Sequence, residues 1–127
     1  MTQSLKVRQF AGFAVIAAVA NSIIFLIAKS ADATMIVNQG RSQEIALPMV
    51  LASTLLGLVI AAFITSRIGI KSQGFLSKSP IIGLVFGIVT AAAPFSASDD
   101  LKTSFALASM HIVAGVTWFV GSKRSIK

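Results

Sequence analysis

Four apolar stretches, 10–28, 45–65, 81–97 and 103–121, alternate with short polar segments along the chain. None holds an ionisable side chain except the last, which carries His111. Each approaches the roughly 20 residues with which an α-helix crosses a hydrocarbon core about 30 Å thick. The third is the shortest, reaching only ~26 Å by helical rise, and Pro94 falls near its end. The pattern predicts an all-α membrane protein, a four-transmembrane-helix bundle forming a single domain over 1–127. A signal-peptide reading of the first stretch would use Lys6 and Arg8 before it and Ala31-Asp32-Ala33 as a small-residue cleavage site. The apolar run is longer than the usual 7–15 residues, which favours a retained span.

Composition agrees, with 55% hydrophobic residues against 12% charged. A soluble domain carries about a quarter charged. The net charge of +7 does not point to nucleic acid, because the basic residues flank apolar runs instead of lining a helix face among aromatics. They also set an orientation. Lys6, Arg8, Arg67, Lys71, Lys78, Lys123, Arg124 and Lys127 fall on one side with no acid. Lys29, Arg41 and Lys102 share the other with Asp32, Glu44, Asp99 and Asp100. The positive-inside rule then places both termini in the cytoplasm, in a bacterial inner membrane, with anionic lipid as a partner on the basic side. Cysteine is absent, which removes disulfides, thiolate nucleophiles and Cys-held metals.

Helix ends follow from local chemistry. Ser42 or Gln43 is expected to start the second helix, with Glu44 in its first turn and Pro48 at its entry, and Ser98 to cap the fourth ahead of Asp99 and Asp100. The intervening 29–44 segment reads as a polar loop, with Met35, Ile36 and Val37 dipping into the interface. Small residues mark contact stripes, since lipid gives helices no hydrophobic reason to associate. The first helix sets Ala14, Ala17, Ala18, Asn21 and Ala28 against a lipid face of Val15, Ile16, Val19, Ile23, Leu26 and Ile27. Ser53, Gly57 and Ala61 form a stripe in the second, and Gly83, Gly87 and Ala91 in the third, the latter expected to meet a helix of the same chain. Pro94 leaves the carbonyl of Thr90 without its helical donor, and Thr90, Ser96, a water or a ligand is expected to supply one.

His111 shares a face with Ser104, Leu107, Ala108, Ala114, Gly115 and Trp118, directed at other helices. It lies near mid-span, as Asn21 does, and intramembrane polar groups at that depth face partners. A contact between Asn21 and His111 is expected. A structural role in helix register, a proton- or ligand-linked role, and axial ligation of a haem or similar pigment, with either a second copy of the chain or an open coordination position, are the three readings of the imidazole. No metal site and no cofactor follow from the spacing of any residues.

The segment 91–116, and most specifically the Ala-Leu-Ala-Ser-Met-His run at 106–111, resembles a family of small bacterial four-helix membrane proteins catalogued as a domain of unknown function, as does the Ala-Leu-Pro at 46–48. The resemblance implies the fold and no activity. No nucleophile with a base in register, His-Glu metal motif or phosphate loop supports an enzyme. The expected function is therefore a non-enzymatic accessory or scaffold subunit, packing with itself or with a larger membrane complex. The alternative is a small channel, carrier or lipophilic-ligand binder with its site around Asn21, Thr90, Pro94, His111 and Trp118.

Overall fold

A computed structural model describes residues 2–127. Its helices are α1 (Val7–Ser30), α2 (Leu47–Lys71), α3 (Gln73–Thr90), the short α4 (Pro94–Ala97) and α5 (Leu101–Ser125); a hairpin of β1 (Ile36–Asn38) and β2 (Ser42–Glu44) lies between α1 and α2. Four helical segments are long and apolar enough to cross a membrane, α3 and α4 together making the third. They run up and down, so the chain ends and the α2–α3 junction sit at one end and the hairpin and α4 at the other.

α1 packs against α2 and α5. Its Phe10, Ala14, Ala17, Ala18, Asn21, Phe25 and Ala28 are buried, whereas Val15, Ile16, Val19, Ile23, Leu26 and Ile27 are at least half exposed, as a lipid-facing stripe requires. Two apolar clusters result. Leu5, Phe10, Ala14, Ala17, Leu58, Ala62, Leu76 and Trp118 fill the end near the termini. Phe25, Ala28, Ala33, Met35, Val50, Ala106 and Met110 fill the other.

α3 and α5 approach at backbone distance. A methyl added at Gly87 would stand 2.7 Å from the Cα of Gly115 and 2.9 Å from the carbonyl of His111, and one at Gly83 would fall inside the Trp118 ring. The glycine ridge of α3 therefore meets a helix of its own chain. α2 and α3 meet at their junction, where Leu76 covers Gly69 and Ser72 both ends α2 and caps α3, its hydroxyl accepting from Phe75 N–H at 3.3 Å. Pro80 lies inside α3, and the Leu76 carbonyl that it deprives of a donor accepts instead from Ser79 Oγ at 2.8 Å.

Several helix ends differ from expectation. α2 starts at Leu47 after Ala46, without a side-chain cap, because Ser42 to Glu44 are drawn into the hairpin; Pro48 does sit in the first turn. The cap of α5 is Asp100, not Ser98, whose hydroxyl accepts from Asp100 N–H at 3.3 Å. Both are good N-caps, and Asp100 wins by holding three donors at one oxygen: Thr103 Oγ1 at 2.7 Å, Thr34 N–H at 2.9 Å and Thr103 N–H at 3.3 Å. Met35 does not dip into the interface. It is fully buried with φ of 55°, its N–H donating to Thr103 Oγ1 at 2.9 Å and its carbonyl accepting from Ile45 N–H at 2.7 Å. α1 ends in a Schellman turn: Asp32 takes φ of 66°, and the N–H groups of Ala33 and Asp32 return to the carbonyls of Ala28 and Lys29 at 2.9 and 3.1 Å. The ion pair of Lys29 with Glu44 at 3.7 Å is exposed and adds at most about 1 kcal/mol.

The chain ends are tied together. Ser4 and Lys127 exchange both backbone hydrogen bonds, at 3.0 and 3.1 Å, and Lys6 N–H donates to the Ser125 carbonyl at 2.8 Å. Gln73 locks the α2–α3 junction onto them by exchanging hydrogen bonds with Gln3 at 3.0 and 2.9 Å.

Two outcomes follow. Gly87→Ala should lower stability by about 1–3 kcal/mol in an SDS titration of helicity, because the crowded atoms are backbone. Gly57→Ala, whose methyl meets nothing within 4 Å, should leave it unchanged or slightly raised. The Thr103 hydroxyl, and after it the Thr34 N–H, hold the Asp100 carboxyl below the usual carboxylate range. A native pKa below the unfolded one gives a contribution fully present above about pH 4 and lost as the pH falls through the native value. Denaturation midpoints measured across that window should fall with acid, and less steeply in Asp100→Asn.

Candidate functional site

Above the α2–α3 junction the two helices are separated by a lateral groove with α5 as its floor. Its cavity of about 410 Å³ is walled by Ser53, Gly57, Ala61 and Thr65 of α2 and by Ser79, Gly83, Phe86, Gly87 and Thr90 of α3; His111, Ala114, Gly115 and Trp118 lie beneath. The groove exists because α3 is held on α5 by glycine contact and α2 on α1, while little joins α2 to α3 beyond Leu76. A second cavity of about 370 Å³ continues towards the hairpin end between Asn21, Ile45, Met49, Val50, Leu107 and Met110. Ser53, Thr54, His111 and Ala114 line both.

The polar groups lie on and beside the residues that line both cavities. Asn21 is 2% exposed, and its amide nitrogen donates to Thr54 Oγ1 at 3.1 Å and to the Met110 carbonyl at 3.4 Å. A flipped amide would set its oxygen against the Met110 carbonyl, so this orientation is assigned. Its Oδ1 has no donor. The expected pairing of Asn21 with His111 is not made, because α3 offers the imidazole a nearer partner: His111 Nδ1 stands 3.1 Å from Thr90 Oγ1. The Thr90 hydroxyl donates to the Phe86 carbonyl at 2.7 Å. The Gly87 carbonyl, at 3.3 Å, is a longer alternative, so the hydroxyl proton is assigned to Phe86; with that assignment Nδ1–H donates to Thr90 and Nε2 is left as an acceptor. His111 is exposed to the groove, not enclosed by the bundle.

The remaining sequence candidates divide by position. Trp118 is buried at 6%, donates from Nε1 to the Ser79 carbonyl at 2.8 Å and meets Phe10 edge to face at 5.1 Å, so it anchors the floor. Pro94 is buried at the hairpin end, outside both cavities, and its carbonyl accepts from Ser104 Oγ at 3.1 Å. The Thr90 carbonyl finds its donor in Ala93 N–H at 3.1 Å, through a turn of backbone and not through a hydroxyl. Ser53 and Gly57 are exposed to the groove, Ala61 half-buried in it; Ala91 and Ala108 are half-buried and line neither cavity. Thr54, Ser79, Phe86 and the Met110 carbonyl were missed. The Ser-Thr pair at mid-span in α2 was the available signal for Thr54, while a backbone carbonyl carries none. Among the described residues, no three His, Asp or Glu side chains gather where a metal ion would need them.

Fold and site together define a multi-pass helical membrane protein with a lateral groove whose polar groups lie at mid-depth. The chain belongs to the family of unknown function DUF6069, whose model matches residues 2–127. No curated protein and no solved structure matches it.

Interhelical polar contacts in membranes contribute about 0.6 kcal/mol on average. Asn21→Val should therefore cost no more than about 1 kcal/mol in SDS titration, less than Gly87→Ala, because it also removes the unpaired oxygen.

Proposed function

We propose that this protein is a non-enzymatic membrane protein that takes a single-chain lipophilic molecule from the bilayer into the groove between α2 and α3. The apolar lining of a lateral opening carries this reading: the cavity of about 410 Å³ lies between α2 and α3 against Gly57, Ala61, Gly83, Phe86 and Gly87, where a hydrocarbon chain from the bilayer would meet it. The volume also falls within the range of about 300–1,000 Å³ usual for small-molecule sites, and the walls are apolar apart from a few hydroxyls and one imidazole.

The exposed small-residue face of Ser53 and Gly57 supports a second reading, in which the protein is an accessory subunit and another chain's helix lies against α2. The end carrying both termini faces the cytoplasm in our reading, supported by its eight Lys and Arg residues without an acid. Arg67 and Lys123 lie over the rings of Phe63 and Phe119, each 5.0 Å away, as long cations do when reaching for a charged lipid interface in a bacterial inner membrane.

Photolabelling of the full chain in vesicles with a diazirine-bearing fatty acyl probe should mark residues between Ser53 and Thr65. In Gly57→Leu, whose side chain enters open groove, labelling there should fall at least about tenfold with helicity unchanged. Labelling spread evenly over the lipid faces of all helices would refute the lipid reading. Copurification of Gly57→Leu and wild type with one stoichiometric partner would favour the subunit reading. Because the chain lacks cysteine, Gly40→Cys should react with an impermeant maleimide on intact cells, and Ser77→Cys only after lysis.

A further inference from the structure

We infer that the molecule held in the groove carries a hydroxyl group, which seats at mid-bilayer depth between His111 and Asn21. The inference rests on the lipophilic-ligand reading and adds the chemistry that would select the ligand. Two acceptors without donors belong to side chains that line the cavities, His111 both of them and Asn21 the second. One is His111 Nε2, left bare because Thr90 gives its proton to the Phe86 carbonyl and takes the Nδ1–H of the ring. The other is Asn21 Oδ1, buried and unpaired on a side chain that lines the second cavity. Thr54 accepts from Asn21 and keeps its own hydroxyl proton for a third contact.

An unpaired acceptor at this depth has no bulk water to turn to, so a ligand that brings a donor gains a hydrogen bond that a hydrocarbon, an ether or an ester cannot make. An alcohol or phenol donates its one proton to one of these acceptors and offers its own oxygen to Thr54 or to a water that serves the other. A phosphate headgroup does not fit, because its charge would be held in the hydrocarbon layer without a cation: the basic side chains lie at the helix ends and among the loops. The cavities extend both ways from the residues they share, so the chain of the ligand lies along α2 while the hydroxyl is held part-way down it. Ligands of this class are long-chain isoprenoid alcohols and isoprenoid hydroquinones.

His111 is the sole histidine of the chain, so a histidine-labelled sample gives one pair of imidazole nitrogen resonances. The full chain labelled with ¹⁵N-histidine, in lipid nanodiscs, is titrated with geranylgeraniol, its methyl ether, and a prenylated hydroquinone with the matching quinone. Without a probe, the spectrum should show the Nδ1–H tautomer. Geranylgeraniol should move the Nε2 resonance upfield in a saturable way, and the ether should bind about tenfold more weakly without moving it. Asn21→Val should narrow the alcohol-to-ether ratio while retaining ether binding. The hydroquinone binding more tightly than the prenol identifies a redox lipid as the source, and the reverse order identifies a simple alcohol. Equal binding of alcohol and ether with an unmoved Nε2 overturns the hydroxyl assignment and leaves the groove reading intact. Failure of every probe to compete with the acyl photolabel, together with even labelling of all helices, overturns both.

Discussion

The contact of α3 with α5 at Gly87 and Gly115 decides how the rest of the bundle stands. In lipid, helices adhere by close packing and not by expulsion of water, so the pair that can approach at backbone distance takes up the available attraction. α3 is drawn onto α5 along one side, with Trp118 lying over Gly83 where any side chain would collide. α1 binds α2 and α5 through its alanine face. α2 and α3 are then left as the loosest neighbours, joined where Leu76 sits on Gly69 and apart beyond it. The groove is what remains when three of four helix pairs close fully.

Polar groups follow the same economy. Every unpaired donor or acceptor in hydrocarbon is costly, so Ser22, Ser109 and Thr90 return their hydroxyls to carbonyls four residues back in their own helices. Trp118 reaches the Ser79 carbonyl, and Ser79 in turn serves the carbonyl that Pro80 leaves open. Ser125 Oγ is also buried without a partner, but at the helix end; at mid-span the oxygen of Asn21 and the second ring nitrogen of His111 stand out.

Much of this was legible in the sequence, and the limits have physical causes. The spans and the lipid-facing stripe of α1 follow from hydropathy and a 3.6-residue period, which a bilayer enforces more strictly than water does. The ends were less legible. Asp32 fills a left-handed turn position usually given to glycine, so α1 carried no sign of where it stops, and the hairpin was hidden because only Gly40 marks it in an otherwise polar loop. The small-residue stripes were visible on α2 and α3 alike, but a stripe does not say whether it will be covered: that of α3 is buried on α5, while Ser53 and Gly57 of α2 face the groove. The partner of His111 was missed because pairing by depth alone matched it with Asn21, whereas the glycine contact of α3 with α5 sets Thr90 beside the ring.

The pairing of Ser4 with Lys127 makes the backbone almost a closed loop, a ring pinned where its two ends lie side by side like adjacent teeth of a zipper. A new opening at the Gly40 turn, with the old ends spliced by a few residues, would preserve every helix and its neighbours while moving both ends to the opposite face of the bilayer. The loop at Gly40 could thus serve as the chain ends in place of the present pair, and whatever is fused to Ser4 or Lys127 emerges at the same spot.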